Sequence, residues 1–188
     1  MERRKSGSSE FATEQFALDQ ELPTLTTLAL DKKRKPLQLM LETVEAGSCV
    51  FHVLAYAHTR IVPLLSVDTG SDCKPPEARG SGVLAVPSWE GFWWKWTRYR
   101  LDAEGLALQP QLESSYPVQV RVTAGKPLKL GGAACPEQTV AAGSVVELER
   151  YDVRRHSYFA RRGQAACGWL PAATLSDPEA FTDVPWAG

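Results

Sequence analysis

The sequence contains no long apolar run. In its 188 residues, no segment approaches the ~20 consecutive apolar residues that a membrane-spanning helix needs. The basic start at Met1 to Lys5 is followed by Ser, Gly and Glu, where an export signal would have its apolar core. We therefore expect no transmembrane segment in this chain. We expect residues 1–20 to be a disordered leader, or a cloning-derived tail in place of a removed export signal.

An excess of charge of one sign is missing as well. Lys and Arg together number 21 and Asp and Glu 22, which leaves a formal net charge of −1. A chain without a basic excess has no general attraction for nucleic acid or for an anionic membrane. Nucleic acid is therefore not an expected partner.

The common catalytic and cofactor motifs are also missing. The sequence has no G-x-S-x-G elbow, no P-loop and no G-x-G-x-x-G string. Its three histidines, His52, His58 and His156, are scattered without metal-ligand spacing. We therefore predict no cofactor, no metal and no catalytic activity.

Cysteine is sparse but even in number, at Cys49, Cys73, Cys135 and Cys167. None belongs to a C-x-x-C pair, which argues against a zinc knuckle or a thioredoxin-type motif. Disulfides and buried free thiols both remain open at this point.

Helical periodicity is nearly absent, and strand patterns take its place. Turn signals recur every eight to twelve residues or so, which is typical of an all-β fold. The apolar runs over 49–57 and 61–67 are almost continuous, which favours strands covered on both faces. We predict an all-β protein whose N-terminal β domain, residues 21–115, is a meander folded as a sandwich or an open barrel.

The C-terminal third runs strand, turn, strand in a characteristic order. Strand patterns over 144–150 and 157–162 precede Gly163, and Cys167-Gly168-Trp169-Leu170-Pro171 leads into a short helical turn. This succession resembles the bacterial Src-homology-3-like domain, a small barrel of many cell-envelope proteins. The resemblance implies such a barrel over residues 116–178, followed by a tail over 179–188. It also implies a module that binds or spaces and does not catalyse.

The resemblance further implies an oxidising compartment, where disulfides persist. We therefore expect the bridges Cys135–Cys167 and Cys49–Cys73. We also expect a periplasmic or cell-surface location, with lipid attachment in a longer form of the protein as a variant of this hypothesis.

One string looks catalytic. Asp68-Thr69-Gly70 after an apolar strand resembles the active-site motif of aspartic proteases, where two carboxylates share one proton. Asp-Thr-Gly is also a common turn composition, and we favour the turn.

The aromatic segment from Trp89 to Leu101 is the better candidate for function. Strand alternation places one set of side chains on one face: Phe92, Trp94, Trp96, Arg98 and Arg100. The other face receives Trp93, Lys95, Thr97, Tyr99 and Leu101. Core packing of the rings is one interpretation, and a platform for a sugar ring or a partner's side chains is the other. The candidate ligand-binding residues are Trp94, Trp96, Arg98 and Arg100.

A basic hairpin adds Tyr158 and Arg161 as further candidates, with a solvated hairpin as the alternative. Together the patterns predict a non-catalytic envelope or surface protein that binds another envelope protein or peptidoglycan. A structural subunit of a pilus or secretion assembly is the second hypothesis. An aspartic-type peptidase acting through Asp68 is the third.

Overall fold

The structure is a computed structural model that describes residues 23–31, 37–132, 135–164 and 166–184. The expected leader, residues 1–20, lies outside the described residues. The fold is nearly all β, which confirms the predicted fold class. Beyond the strands it contains a 3₁₀ turn, Gly70–Asp72, and one short helix, α1, Ala172–Leu175.

The first eight strands form two antiparallel meanders of four strands each. Sheet I contains β1 (Thr24–Leu28), β2 (Leu37–Glu45), β3 (Ser48–Ala57) and β4 (Arg60–Asp68). Sheet II contains β5 (Glu77–Gly80), β6 (Val83–Trp89), β7 (Trp94–Leu101) and β8 (Leu108–Pro110).

Sheets I and II face each other across a small core, which corresponds to the sandwich of the two predicted arrangements. Its fully buried members are Leu30, Val53, Leu84 and Val86. A side chain of this size contributes roughly 1.5–3 kcal/mol when it leaves water. This core therefore fixes which face of each sheet points inward.

The outer face of sheet I differs from the expectation of strands covered on both faces. Strand β3 alternates strictly, with one face buried and the other half-buried or exposed. In β4, Ile61 and Pro63 are exposed. No other element among the described residues packs over this side of the sheet, although its composition is apolar.

The remaining strands form the C-terminal part of the molecule. Sheet III has the order β14–β13–β12–β9, and a separate hairpin pairs β10 with β11. The bounds are β9, Ser115–Thr123; β10, Leu128–Gly132; β11, Cys135–Val140; β12, Val145–Asp152; β13, Ser157–Arg162; and β14, Ala166–Pro171.

A larger second core lies between sheet III and the hairpin. Its fully buried centre includes Val122, Leu130, Val140, Val146 and Leu148. Residues 179–184, which we expected to begin a C-terminal tail, contribute to this core through Ala180 and Phe181. Residues 185–188 lie outside the described part of the chain.

Both expected disulfides are present. Cys135–Cys167 joins β11 to β14, and Cys49–Cys73 joins β3 to the residue that follows the 3₁₀ turn. Each bridge closes a loop of intermediate length, for which the chain-entropy model gives about 3–4 kcal/mol. The first bridge holds the hairpin on sheet III, and the second fixes the loop that precedes sheet II.

Candidate binding groove

The structure resolves which face of β7 is inward. Tyr99 packs on the core between sheets I and II, and Leu101 is buried. By strand alternation the opposite face carries Trp94, Trp96, Arg98 and Arg100. The four candidate residues on this strand therefore share one face, as the pattern indicates.

The alternation does not extend to the two aromatics before β7. Phe92 and Trp93 lie in the β6–β7 turn, which the Glu90 N–H closes by donating to the Trp93 carbonyl over 2.9 Å. Both rings are only 3% exposed and belong to the C-terminal core. The expected opposition of Phe92 to Trp93 across a strand was wrong, because the strand begins at Trp94.

An open groove runs between sheet II and strand β9. One depression of about 460 Å³ is lined by residues that include Arg79, Val83, Trp96 and Pro117. A second of about 350 Å³ is lined by Trp89, Trp94, Trp96 and residues 117–120, among others. Because the two depressions share Trp96 and Pro117, we treat them as one site and name it the tryptophan groove.

Two cations lie over the tryptophan rings. The Lys74 Nζ is 5.0 Å from the centroid of Trp94 and 5.2 Å from that of Trp96, and the Arg79 guanidinium is 5.8 Å from Trp96. Arg79 also pairs with Glu77 over 2.5 Å. Among the described residues, no carboxylate lies within ion-pair distance of Lys74. The contacts that its ammonium makes among the described residues are therefore with the faces of the rings.

Trp89 extends the aromatic surface at the other end of the groove. Its ring centroid is 5.1 Å from that of Trp94, with an angle of 59° between the planes. Trp89 is 37% exposed. Three indole rings thus line the groove and remain reachable by solvent.

Arg98 lines the groove but is already engaged. Its guanidinium donates to both carboxylate oxygens of Glu113, over 2.7 and 3.3 Å. This bidentate pair raises the pKa of Arg98 through the hydrogen bond and the neighbouring charge. Arg100 is exposed and lies opposite Val83, at the far end of β7 from Trp94. Arg98 therefore lines the groove in a position that its pair with Glu113 fixes.

Tyr158 and Arg161 lie elsewhere. Tyr158 is 7% exposed, and its hydroxyl accepts a hydrogen bond from the Trp93 indole N–H over 3.3 Å. Arg161 donates from Nε to the Glu149 carboxylate over 2.6 Å on sheet III. Neither residue lines the tryptophan groove, so the structure does not bring them together with the candidates of β7.

Lys74 and Arg79 were not identified from the sequence. Lys74 lies in a polar loop without periodicity, and its position over the rings depends on the neighbouring bridge of Cys73 to Cys49. On the C-terminal part of the molecule, Arg155 of the basic hairpin and Arg150 lie about 5 Å from the centroid of Trp169, a contact that the sequence does not indicate. No local pattern marks such contacts in advance.

Asp68 is the last residue of β4 and lies directly before a turn. Its carboxylate accepts hydrogen bonds from the Ser48 hydroxyl over 2.5 Å and from the Gly70 N–H over 2.8 Å. These donors lower the pKa of Asp68, the Ser48 hydroxyl most strongly. A protease dyad needs one carboxyl that stays protonated. The surroundings of Asp68 favour the charged form and suit a turn.

Comparison with family models, with curated proteins and with solved structures found no match to this chain. Within the described ranges, no helix is long and apolar enough to cross a membrane. In the same ranges, no three His, Cys, Asp or Glu side chains are grouped as a metal site would require.

Proposed function

We propose that this protein is a binding protein of the bacterial cell envelope that holds an anionic glycan of the cell wall in the tryptophan groove. The observation that carries the proposal is the Lys74 ammonium over Trp94 and Trp96, with no carboxylate of the described residues paired to it. Indole faces accept the C–H faces of a sugar ring, and an unpaired cation beside them attracts an acidic substituent.

The architecture supports a binding role outside the cytoplasm. The resemblance of the C-terminal third to Src-homology-3-like modules, which bind or space, is one support for this role. Two disulfides fit an oxidising compartment. Both depressions of the groove open to solvent, which suits a ligand that binds at the surface.

The test is co-sedimentation of the purified full chain with peptidoglycan sacculi. We expect Trp96→Ala to reduce binding by at least about tenfold, because the ring lines both depressions and central aromatics dominate such sites. Lys74→Gln should weaken binding by about fivefold and reduce its salt dependence.

Lys129→Gln is the matched control, since it removes the same charge from an exposed side chain on the hairpin. Sacculi binding that is equal in the wild type and in Trp96→Ala would refute the proposal. Stoichiometric binding of one protein that depends on Trp96, with no sedimentation on sacculi, would identify the ligand as a protein partner.

A further inference from the structure

The outer face of sheet I carries three rows of side chains that run across its strands and contain no Asp, Glu, Lys or Arg. The register places Leu37, Tyr56 and Ile61 in the first row. The second row has Thr27, Leu39, Leu54 and Pro63, and the third has Leu25, Leu41, His52 and Ser66. Directly opposed residues of antiparallel strands lie on the same face, so these rows form one surface.

This surface exposes several large apolar side chains next to one another. The exposed fractions are 59% for Leu25, 51% for Leu37, 46% for Tyr56 and 61% for Ile61. Only three other large hydrophobic side chains of the described residues are exposed, and they are dispersed: Trp89, Leu112 and Val145. Isolated exposed apolar residues are normal, whereas a contiguous patch indicates a contact surface.

The edges of sheet I are poorly suited to pairing with another chain. Strand β1 has only five residues. Strand β4 contains Pro63, which lacks an N–H, and its register with β3 shifts between Val53 and Leu54. Short strands, proline and bulges protect edges from strand addition. Association through this sheet therefore involves its face.

We propose that the outer face of sheet I is the interface of a homodimer in which two copies pack face to face about a twofold axis. Such an axis packs this three-row surface against its own copy, so charges of one sign within the rows would repel. None of the three rows contains Asp, Glu, Lys or Arg. The chain's near-zero net charge adds no general repulsion between copies.

The available area suits a weak dimer. At the usual strand and residue spacings the rows cover on the order of 500 Å² per copy, and on the order of 1,000 Å² for the pair. This value reaches the lower bound for a specific interface, so we expect a dissociation constant on the order of 10 µM. Two sheets packed in this way would cover β3 on both sides, as its almost continuous apolar sequence favours.

Sedimentation velocity of the full chain from about 1 to about 200 µM tests the dimer. We expect a concentration-dependent shift from monomer to dimer. Ile61→Asp should raise the dissociation constant at least about 100-fold, because both copies lose an apolar contact and gain like charges. Val145→Asp is the matched control: this side chain is 55% exposed but lies on sheet III.

An unchanged thermal midpoint for Ile61→Asp would show that the variant remains folded. A wild-type chain that stays monomeric up to the highest concentration would overturn the proposal. So would a dimer that Ile61→Asp leaves intact, or one that Val145→Asp disrupts equally. Growth beyond a dimer would also overturn the proposal, because it would indicate an open assembly such as a pilus subunit forms. Because the tryptophan groove is on sheet II, sacculi binding by Ile61→Asp separates this result from the proposed function.

Discussion

Gly168 lies where strand β14 crosses the hairpin of β10 and β11. A Cβ at this position would be 2.0 Å from the backbone N of Gly131 and 2.7 Å from the carbonyl carbon of Leu130. These atoms are backbone and cannot rotate away, so a larger residue would separate the two layers of the C-terminal core. The Gly-Trp-Leu sequence that suggested a known module thus has a direct steric reason at its first position.

We predict that Gly168→Ala lowers the free energy of unfolding by about 3 kcal/mol, near the upper end for overpacking. Gly143→Ala is the control. Gly143 has φ of +78° but open space around it, so its substitution should cost only about 1 kcal/mol of backbone strain. Urea unfolding at neutral pH measures both values. Equal losses in the two variants would contradict the steric argument.

Tyr158 gives a second prediction at the scale of one residue. Burial raises the pKa of its phenol above the ordinary value of 10.0. The unfolded chain therefore ionises first as pH rises, and this hydroxyl favours the folded state less and less above about pH 10. We expect wild-type stability to fall more steeply between pH 9 and 11 than that of Tyr158→Phe, as urea unfolding at each pH would reveal.

At neutral pH the same variant should lose about 1 kcal/mol, because the Trp93 N–H loses its acceptor. The other tyrosines and the lysines titrate in both chains, so their contributions to the pH dependence of stability cancel in the comparison. Parallel pH profiles would show that Tyr158 does not carry the alkaline sensitivity.

At the scale of the element, the sequence predicts strands well and their ends poorly. The alternation in β7 correctly groups Trp94, Trp96, Arg98 and Arg100, since a strand sends every second side chain to one face. It fails at Phe92 and Trp93, because periodicity does not mark where a turn begins.

The bridges illustrate another limit. Their spacing alone does not decide between disulfides and free thiols, and the resemblance of the C-terminal strands is what indicates an oxidising compartment. The apolar run over 49–57 likewise favours cover on both faces, but within the described part of the chain only one face of β3 is covered. What covers the outer face depends on contacts beyond this strand, and a local pattern does not indicate them.

At the scale of the whole molecule, the tryptophan groove arises from segments far apart in sequence. Strand β9 supplies Pro117 and sheet II supplies Trp94 and Trp96, while the bridged loop places Lys74 over these two rings. The residues of β7 could be named from the sequence because they share a strand. The wall opposite them and the cation above them depend on tertiary contacts, so their part in the site could not be predicted.

The turn between β6 and β7 joins the two halves of the molecule. Phe92 and Trp93 extend from sheet II into the C-terminal core, where the Trp93 ring lies 6.4 Å from Tyr158 and 6.1 Å from Tyr151. Because a turn of one half completes the core of the other, unfolding either half exposes these rings. The two halves should therefore unfold together.

We predict a single calorimetric transition for the wild type and two resolved transitions for Trp93→Ala, with a loss of about 3–5 kcal/mol in the C-terminal core. Trp89→Ala is the control, since Trp89 ends β6 directly before the same turn but is 37% exposed. It should keep one transition, because it removes a groove ring and leaves the shared core filled. Trp93→Ala could instead unfold in one transition, with equal calorimetric and van't Hoff enthalpies. That result would show that other contacts between sheet II and β9, and not this ring, couple the two halves.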